Sequence, residues 1–270
     1  MICYPNAKIN LGLNVVSKRN DGYHNIESVF YPINWVDVLE VIEDNNASKG
    51  IELSTSGIDI PGNLEDNLLA KAYRLISDEY NMGAVKAHLH KQIPIGAGLG
   101  GGSADCAFFV NAINKLFSLN ISIEKRKNIV AQLGADCPFF IENKPAYVTG
   151  IGDEMENIDF SLKGKYIYLV NPNIHVSTKD AYAGLTPEKS NQDLRKLIQT
   201  DLPGWNSEIK NDFEKSIFKL YPEIEKLKQE MYDAGAIYAS MSGSGSTVFG
   251  VFEVEINPIN IMHEFKSYLL

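Results

Sequence analysis

The chain has 270 residues, a length that predicts about two domains, each able to bury its own core. Hydrophobic residues make up 44% and charged residues 22%, proportions of an ordinary globular protein that exclude a disordered or fibrous chain. A formal charge of -9 would repel nucleic acid and anionic membranes over most of the surface. We therefore expect no nucleic-acid or membrane partner, and we expect any phosphate to be bound by local groups.

The cysteines, the first residues and the longest uncharged stretch bear on the cellular location of the protein. Cys3, Cys106 and Cys137 include no C-x-x-C pair, which argues against a disulfide framework or a zinc site. The first residues lack the basic and apolar runs of a secretory signal, and the uncharged stretch 234–252 is too polar for a membrane helix. These features predict a cytoplasmic protein.

The first elements are predicted to be strands. Apolar residues alternate with polar or small ones over 9–15, which predicts a half-buried strand with Lys8, Asn10 and Asn14 on its polar face. A polar turn follows, and then a second strand-like stretch around 28–42. Alone, a strand lysine such as Lys8 is usually solvated.

A strand and a helix are then predicted on either side of a glycine-rich segment. Helical spacing over 68–80 predicts a first helix, with Asp66 or Asn67 as its cap. Alternation over 85–90 predicts a strand, and apolar spacing over 104–117 predicts a second helix. The order of strand, glycine loop and helix is typical of anion-binding sites.

The remaining elements extend into a second domain. Ser122 is expected to cap a helix over 123–133, and we place the domain boundary after Gly152, which gives domains 1–152 and 153–270. The second half is predicted to contain a strand at 166–170, a helical region at 208–232, and strands at 236–241 and 247–252.

The glycine loop is the strongest local signal. Its residues are Pro94, Gly96, Ala97, Gly98, Leu99, Gly100, Gly101, Gly102 and Ser103. Glycines allow close approach of the backbone, and the following helix attracts an anion, so the loop predicts a phosphate site. The match to G-x-G-x-x-G lacks the second strand of a dinucleotide fold, and no Lys-Ser/Thr pair completes a Walker A motif. A glycine turn without a ligand stays open as an alternative.

Two further segments suit phosphoryl transfer. Gly243, Ser244 and Gly245 form a small-residue loop that is either a second phosphate-proximal loop or a flexible hairpin connection. Asp136 is either a helix cap or the carboxylate that receives a proton from an acceptor hydroxyl. A nearby lysine such as Lys8 would keep that carboxylate ionised and stabilise developing charge.

The motifs together resemble the GHMP kinase superfamily over nearly the whole chain. The segments that carry the resemblance are 5–10, 21–24, 94–103, 134–138, 211–214 and 241–249. The Lys8 segment and 21–24 are most similar to the members that phosphorylate the 2-hydroxyl of 4-(cytidine 5'-diphospho)-2-C-methyl-D-erythritol, in the non-mevalonate (MEP) route to isoprenoids. The resemblance implies an α+β, two-domain GHMP kinase fold with the active site in the cleft between domains.

The resemblance also implies roles for individual residues. Asp136 would be the general base with Lys8 as its charged partner, and the glycine loop with Asn67 would bind ATP together with Mg²⁺, whose ligands stay unassigned. The positions implied for the cytidyl substrate are Asn10, Tyr23, His24, Thr178 and Tyr182, with Tyr23 and Tyr182 on the two faces of the cytosine. The oligomeric state stays open.

Two alternatives remain. A GHMP kinase for another small alcohol, of the homoserine or mevalonate type, would use the same glycine loop, but the pair Tyr23 and His24 opposes it. A catalytically silent nucleotide-binding module would not need both Lys8 and Asp136.

Overall fold

The structure is a computed structural model that describes residues 1–188, 192–256 and 265–269. The chain forms two compact units. The first unit comprises Met1–Ala7, Trp35–Ile95 and Gly100–Lys144, and the second comprises Lys8–Asn34, Gly96–Leu99 and the chain from Pro145 onward. Each unit is therefore assembled from separate stretches of sequence, and the boundary after Gly152 stays a prediction.

The described chain contains both strands and helices, from the first residues to the last. In chain order the strands are β1 (Ile2–Cys3), β2 (Asn6–Lys18), β3 (His24–Val36), β4 (Val38–Glu43), β5 (Ile51–Gly57), β6 (Val85–Lys91), β7 (Ala146–Thr149), β8 (Glu154–Asn157), β9 (Tyr166–Val170), β10 (Tyr238–Met241), β11 (Val248–Phe252) and β12 (Phe265–Leu269). The helices are α1 (Leu68–Glu79), α2 (Gly101–Leu116), α3 (Ile123–Ala131), α4 (Phe139–Glu142), α5 (Thr178–Tyr182), α6 (Leu194–Leu197), α7 (Leu202–Glu208), α8 (Glu214–Leu220) and α9 (Pro222–Asp233).

The first unit contains a four-stranded sheet in the order β1-β4-β6-β5. Strand β4 is antiparallel to β6, with Leu39 opposite Leu89, and β5 is parallel to β6. Along β6, Leu89 is buried whereas His88 and His90 are exposed, so the residues alternate between the two faces as expected for a strand. Helices α1 and α2 pack against each other, and α2 packs against β4.

The second unit contains two four-stranded sheets, ordered β2-β3-β7-β8 and β10-β11-β9-β12. In the latter sheet β11 pairs antiparallel with both β10 and β9. Helix α9 packs on β10 and β11, and its Leu227 and Met231 join a buried apolar cluster with Tyr168, Phe213 and Val248. Within the described residues, no helix combines the length and the apolar character needed to cross a membrane.

Most predicted elements are confirmed, but the burial of β2 was predicted wrongly. The alternating pattern predicts a half-buried strand, whereas every residue over 6–13 is buried. Lys8 is 4% exposed and Asn10 is 1% exposed. Both faces of β2 are therefore covered by protein, and its polar residues are interior groups that require partners.

Two longer predicted segments are divided in the structure. The stretch 28–42 becomes β3 and β4, separated at Asp37, whose carboxylate accepts the backbone N–H groups of Gln92 and Ile93. The helical region 208–232 becomes α8 and α9, because Pro222 has no N–H group and starts a new helix.

Candidate functional site

The first half of the glycine loop, Gly96–Leu99, lies in the second unit and is held through its carbonyl groups. Three successive carbonyls accept hydrogen bonds from protein groups. The donors are the amide of Lys8 to Leu99 (2.9 Å), the hydroxyl of Ser242 to Gly98 (2.9 Å) and the amide of Thr247 to Ala97 (3.3 Å). Because a trans peptide directs its N–H away from its C=O, the amides that follow these carbonyls point away from the donors. The carbonyl groups therefore fix this half of the loop to the protein, and the amide groups that follow them point away from Lys8, Ser242 and Thr247.

Gly98 is required by the packing of the protein itself. Its φ of +78° lies in the left-handed region that favours glycine. A Cβ at this position would lie 2.0 Å from the carbonyl oxygen of Ser242. The absence of a side chain at Gly98 therefore allows contact with residues 242–247, which we call the Ser–Gly loop.

The second half of the loop, Gly100–Ser103, lies in the first unit and opens α2. The first helical hydrogen bond runs from the amide of Ala104 to the carbonyl of Gly100, so the preceding amides lack helical acceptors. A Cβ at Gly102 would meet only Leu68, at 4.0 Å, whereas one at Gly101 would lie 2.8 Å from Ile93. The amides at the N-terminus of this 16-residue helix suit a phosphate, and Gly102 leaves room for it.

A buried charged cluster lies beside the first turn of α2. The Nζ of Lys91 is 2.5 Å from Asp37 Oδ2 and 2.7 Å from Asp105 Oδ2. Burial raises the pKa of Asp105 to about 7. A Cβ at Gly101 would lie 2.9 Å from the Lys91 Nζ, so this cluster underlies the second half of the loop. The sequence analysis missed the cluster, although Gln92 and Ile93 alone separate Lys91 from Pro94, the first residue of the loop.

Lys8 and Asn10 are brought together on β2. The Lys8 Nζ donates to Asn10 Oδ1 at 2.7 Å, and Asn10 Nδ2 donates to Ser28 Oγ at 2.9 Å. The ammonium group also lies 4.2 Å from the centre of the Phe30 ring. These contacts hold a buried cation and a buried amide in fixed positions, as a site that stabilises developing charge requires.

Asp136 is half-buried in the turn after α3, one residue before the buried Cys137. The Cys137 thiol hydrogen-bonds with Cys106 and Ser103, and the Cys106 contact is the main cause of its lowered pKa. Because Ser103 and Cys106 belong to α2, these bonds anchor the turn that carries Asp136 to the start of that helix. All three cysteines are free thiols, and Cys106 and Cys137 are fully buried, which fits packing residues.

The Ser–Gly loop is fixed by Asn10 and by Asn211, to which the sequence analysis assigned no role. Asn211 Nδ2 donates to the carbonyls of Met241 and Gly243, at 2.8 Å each. Ser242 accepts the amide of Asn10 at 3.3 Å. The segment 211–214 was recognised as a motif, but the atoms that it contacts lie about thirty residues downstream, so no local pattern could indicate them.

An aromatic pair joins two of the predicted substrate residues. The rings of His24 and Tyr182 are stacked, with centroids 4.5 Å apart and an interplanar angle of 15°. The rings of Tyr182 and Phe213 make an edge-to-face contact, with their centroids 4.8 Å apart. The ring stacked on Tyr182 is thus that of His24, whereas Tyr23 is 62% exposed. Thr178 is the first residue of α5, the helix that carries Tyr182.

Asn67, predicted to contact the nucleotide, and His88, which carries no predicted role, both have local hydrogen-bond partners. Asn67 caps α1 by accepting the amide of Leu69 at 2.9 Å, which confirms the predicted cap. His88 hydrogen-bonds with Ser54 and Ser56 on the exposed face of β6. In the part of the chain that the structure describes, no group of three or more His, Cys, Asp or Glu residues could hold a metal ion.

Comparison with known proteins identifies the family. Residues 67–144 match the model of the GHMP kinases N terminal domain, and residues 190–269 match that of the GHMP kinases C terminal region. A protein of Bacteroides fragilis named 4-diphosphocytidyl-2-C-methyl-D-erythritol kinase is 49% identical, over 94% of this chain and 93% of its own. A protein of the same name from Cytophaga hutchinsonii is also 49% identical, with the same coverage of both chains.

Solved structures agree with this assignment. A 4-(cytidine 5'-diphospho)-2C-methyl-D-erythritol kinase superposes with a TM-score of 0.80 at 29% identity, covering 93% of this chain and 90% of its own. The homoserine kinase of Cytophaga hutchinsonii gives a TM-score of 0.66 at 18% identity, over 97% of this chain and 93% of its own. The latter similarity concerns the fold alone. The resemblance inferred from the motifs is confirmed, and the chain belongs to the GHMP kinase family.

Proposed function

We propose that this protein transfers a phosphoryl group from ATP to the 2-hydroxyl of 4-(cytidine 5'-diphospho)-2-C-methyl-D-erythritol in the non-mevalonate route. The observation that carries this proposal is the 49% identity, over 94% of the chain, to relatives named for that substrate. GHMP kinases use ATP as co-substrate, and the two halves of the glycine loop offer the amide groups that phosphates require. The free thiols support a cytoplasmic location.

The glycine loop is proposed to bind the phosphates of ATP. The amides that follow the Ala97, Gly98 and Leu99 carbonyls, and those of the first turn of α2, would donate to the phosphates. Gly102 gives the space for their approach. Asn67, at the start of α1, is proposed to contact the nucleotide base. When bound, ATP supplies the phosphoryl group.

Mg²⁺ is proposed to enter with the nucleotide. Protein-bound Mg²⁺ usually takes one or two carboxylates together with substrate phosphates and water. We assign no particular carboxylate to the ion, because Asp136, half-buried in a turn that is hydrogen-bonded to α2, is proposed as the proton acceptor. When bound, the ion would neutralise phosphate charge.

Asp136 and Lys8 are proposed to act on the acceptor hydroxyl. Asp136 accepts the hydroxyl proton while the oxygen forms its new bond to phosphorus, and the bond from phosphorus to the ADP oxygen breaks. Lys8 holds a positive charge in a buried, fixed position, where it stabilises the negative charge that develops during transfer.

The cytosine is proposed to stack on Tyr182. In the structure His24 covers a face of this ring, so the imidazole would leave that face when the base binds and would hydrogen-bond with its edge. Tyr23 is exposed and adjoins His24 in sequence, which suits an aromatic that covers the opposite face of the base. Asn10 and Thr178 are proposed to contact the remainder of the substrate.

Release of ADP, measured with a panel of acceptors, tests the proposal. The panel contains the cytidyl substrate, methylerythritol 4-phosphate, homoserine and mevalonate. Of the four acceptors, we expect only the cytidyl substrate to give rapid ADP release, because base stacking supplies binding energy remote from the reacting hydroxyl. Faster reaction with homoserine or mevalonate would overturn the substrate assignment, and no ADP release with any acceptor would favour a nucleotide-binding module without activity.

A further inference from the structure

We propose that Asn211 is a positioning residue for ATP binding, which acts by fixing the Ser–Gly loop against the glycine loop. The inference rests on the proposed function, since it concerns the same nucleotide. Asn211 is 2% exposed. It is therefore held inside the protein and is expected to act on the nucleotide through its neighbours.

The side-chain amide of Asn211 is fully used. Its Nδ2 donates one hydrogen bond to the carbonyl of Met241 and another to the carbonyl of Gly243, and its Oδ1 accepts the amide of Phe213 at 3.0 Å. Two donors and one acceptor at this distance from the backbone are available only from an asparagine side chain. A carboxylate of the same shape would face two carbonyl oxygens without a proton to donate.

The two carbonyls that Asn211 binds flank Ser242. With both neighbours fixed, the Ser242 hydroxyl lies between the Asn10 amide and the Gly98 carbonyl, to which it donates at 2.9 Å. The Ser242 carbonyl oxygen occupies the place of the missing Gly98 side chain. A displaced Ser242 would therefore displace Gly98, and with it the first half of the glycine loop.

The backbone around Asn211 is itself fixed to β2. The amide of Leu13 donates to the carbonyl of Lys210 at 2.9 Å, and the amide of Asp212 donates back to Leu13 at 2.8 Å. The carboxylate of Asp212 also accepts the amide of Val15, at 2.8 Å. Asn211 thus extends from a rigid frame, and its amide can set the position of a loop.

The contacts of Asn10 indicate that loss of the Asn211 amide should affect the two substrates unequally. Its side chain is held by Lys8 and Ser28, and only its backbone amide depends on Ser242. We therefore expect loss of the Asn211 amide to impair ATP binding more than binding of the acceptor.

The test is Asn211→Asp, with ATP binding measured by equilibrium dialysis at a temperature where circular dichroism shows a folded protein. The dissociation constant for ATP should rise about tenfold or more, because ATP must then restore the loop position that two modest hydrogen bonds maintain in the wild type. The KM for the cytidyl substrate at saturating ATP should change less than about threefold, because the Asn10 side chain keeps its hydrogen bonds with Lys8 and Ser28. The matched control is Asn111→Asp, far along α2, which should bind ATP as the wild type does.

Ser242→Ala completes a double-mutant cycle. If Asn211 acts through Ser242, the effects of the two substitutions on ATP affinity will be smaller together than their sum. Additive effects would overturn this route. Should Asn211→Asp fail to fold, Asn211→Ala replaces it, with a smaller rise in the ATP dissociation constant expected.

The outcomes separate the two proposals. Wild-type ATP affinity in a folded Asn211 variant, or an activity loss that only follows the unfolded fraction, overturns the positioning role. Failure of the wild-type protein to bind ATP overturns the proposed function itself.

Discussion

The two halves of the glycine loop contain similar residues but use their glycines differently. In Gly96–Leu99 the carbonyls accept protein hydrogen bonds, and Gly98 lacks a side chain because the Ser242 carbonyl occupies that space. In Gly100–Ser103, Gly102 is exposed at the start of α2 and faces open space. One half is shaped by the protein, and the other leaves space for a ligand.

This difference corrects the simplest interpretation of the loop. The sequence analysis assigned its glycines to close approach of a bound group, but Gly98 and Gly101 are both required by contacts with protein atoms. At Gly102, by contrast, a Cβ would meet only Leu68, at 4.0 Å, so this position has the space that the proposed phosphate site needs. This glycine-rich segment therefore combines glycines that packing requires with a glycine that faces open space.

Alanine substitutions at Gly98 and Gly102 should give the largest difference between the two halves of the glycine loop. Gly98→Ala should lower the free energy of unfolding by about 3 kcal/mol or more, because the left-handed backbone and the Ser242 contact both oppose a side chain. Gly102→Ala should retain full stability, since alanine is the better helix former, yet weaken ATP binding about tenfold. Urea unfolding and equilibrium dialysis measure the two effects. Equal destabilisation by both substitutions would contradict the comparison.

Asp136→Asn should separate chemistry from the loop. We expect turnover to fall about 10²-fold or more, the usual scale for loss of a general base, with ATP affinity unchanged because both halves of the loop are intact. Steady-state kinetics and dialysis measure these quantities. Asp159→Asn, at an exposed acid, is the matched control. Wild-type turnover in Asp136→Asn would remove this carboxylate from the mechanism.

The supports beneath the two halves should differ in their response to pH. The second half lies over Lys91, Asp37 and Asp105, and burial raises the pKa of Asp105 from 3.8 to about 7. A raised folded-state pKa means that the folded protein binds this proton more tightly. The stability contributed by that proton is complete below pH 3.8 and is lost as the pH rises through 7.

Asp105→Asn removes this dependence. The unfolding free energy of the variant, relative to the wild type, should therefore increase by roughly 1–3 kcal/mol between pH 5 and pH 8. Urea unfolding at both values measures the change. A difference that stays constant with pH would show that Asp105 does not titrate in this range. No such change is expected from the uncharged Asn211 support of the first half.

Local sequence patterns predicted where the strands and helices lie better than they predicted how deeply those elements are buried. The alternation in β6 and the helical spacing in α1 and α2 located these elements within a few residues. The alternation in β2 gave the strand but not its burial, because a polar residue paired within the protein gives the same pattern as a solvated one. Pro222 was a readable helix signal that the sequence analysis overlooked.

The sequence assigned proposed roles to only some residues of the candidate site. Lys8, Asn10 and the glycine loop carry recognisable local motifs, so their positions were assigned from the sequence. Asn211 and Lys91 were not assigned a role, because each acts through partners that only the fold brings close: 30 and 32 residues away for Asn211, and 54 residues away for Asp37 beside Lys91. Such roles depend on three-dimensional contacts and leave no short-range pattern.

The stack of His24 on Tyr182 has a consequence for the heat-capacity change of the proposed cytosine binding. In the free protein the imidazole already shields one face of the phenol ring from water. A cytosine that replaces His24 exchanges one aromatic neighbour for another, so little new apolar surface of Tyr182 is dehydrated. Since the heat-capacity change of binding follows apolar dehydration, calorimetry should find that this ring contributes little to it. His24 would then keep this face of Tyr182 covered whenever the proposed base is absent.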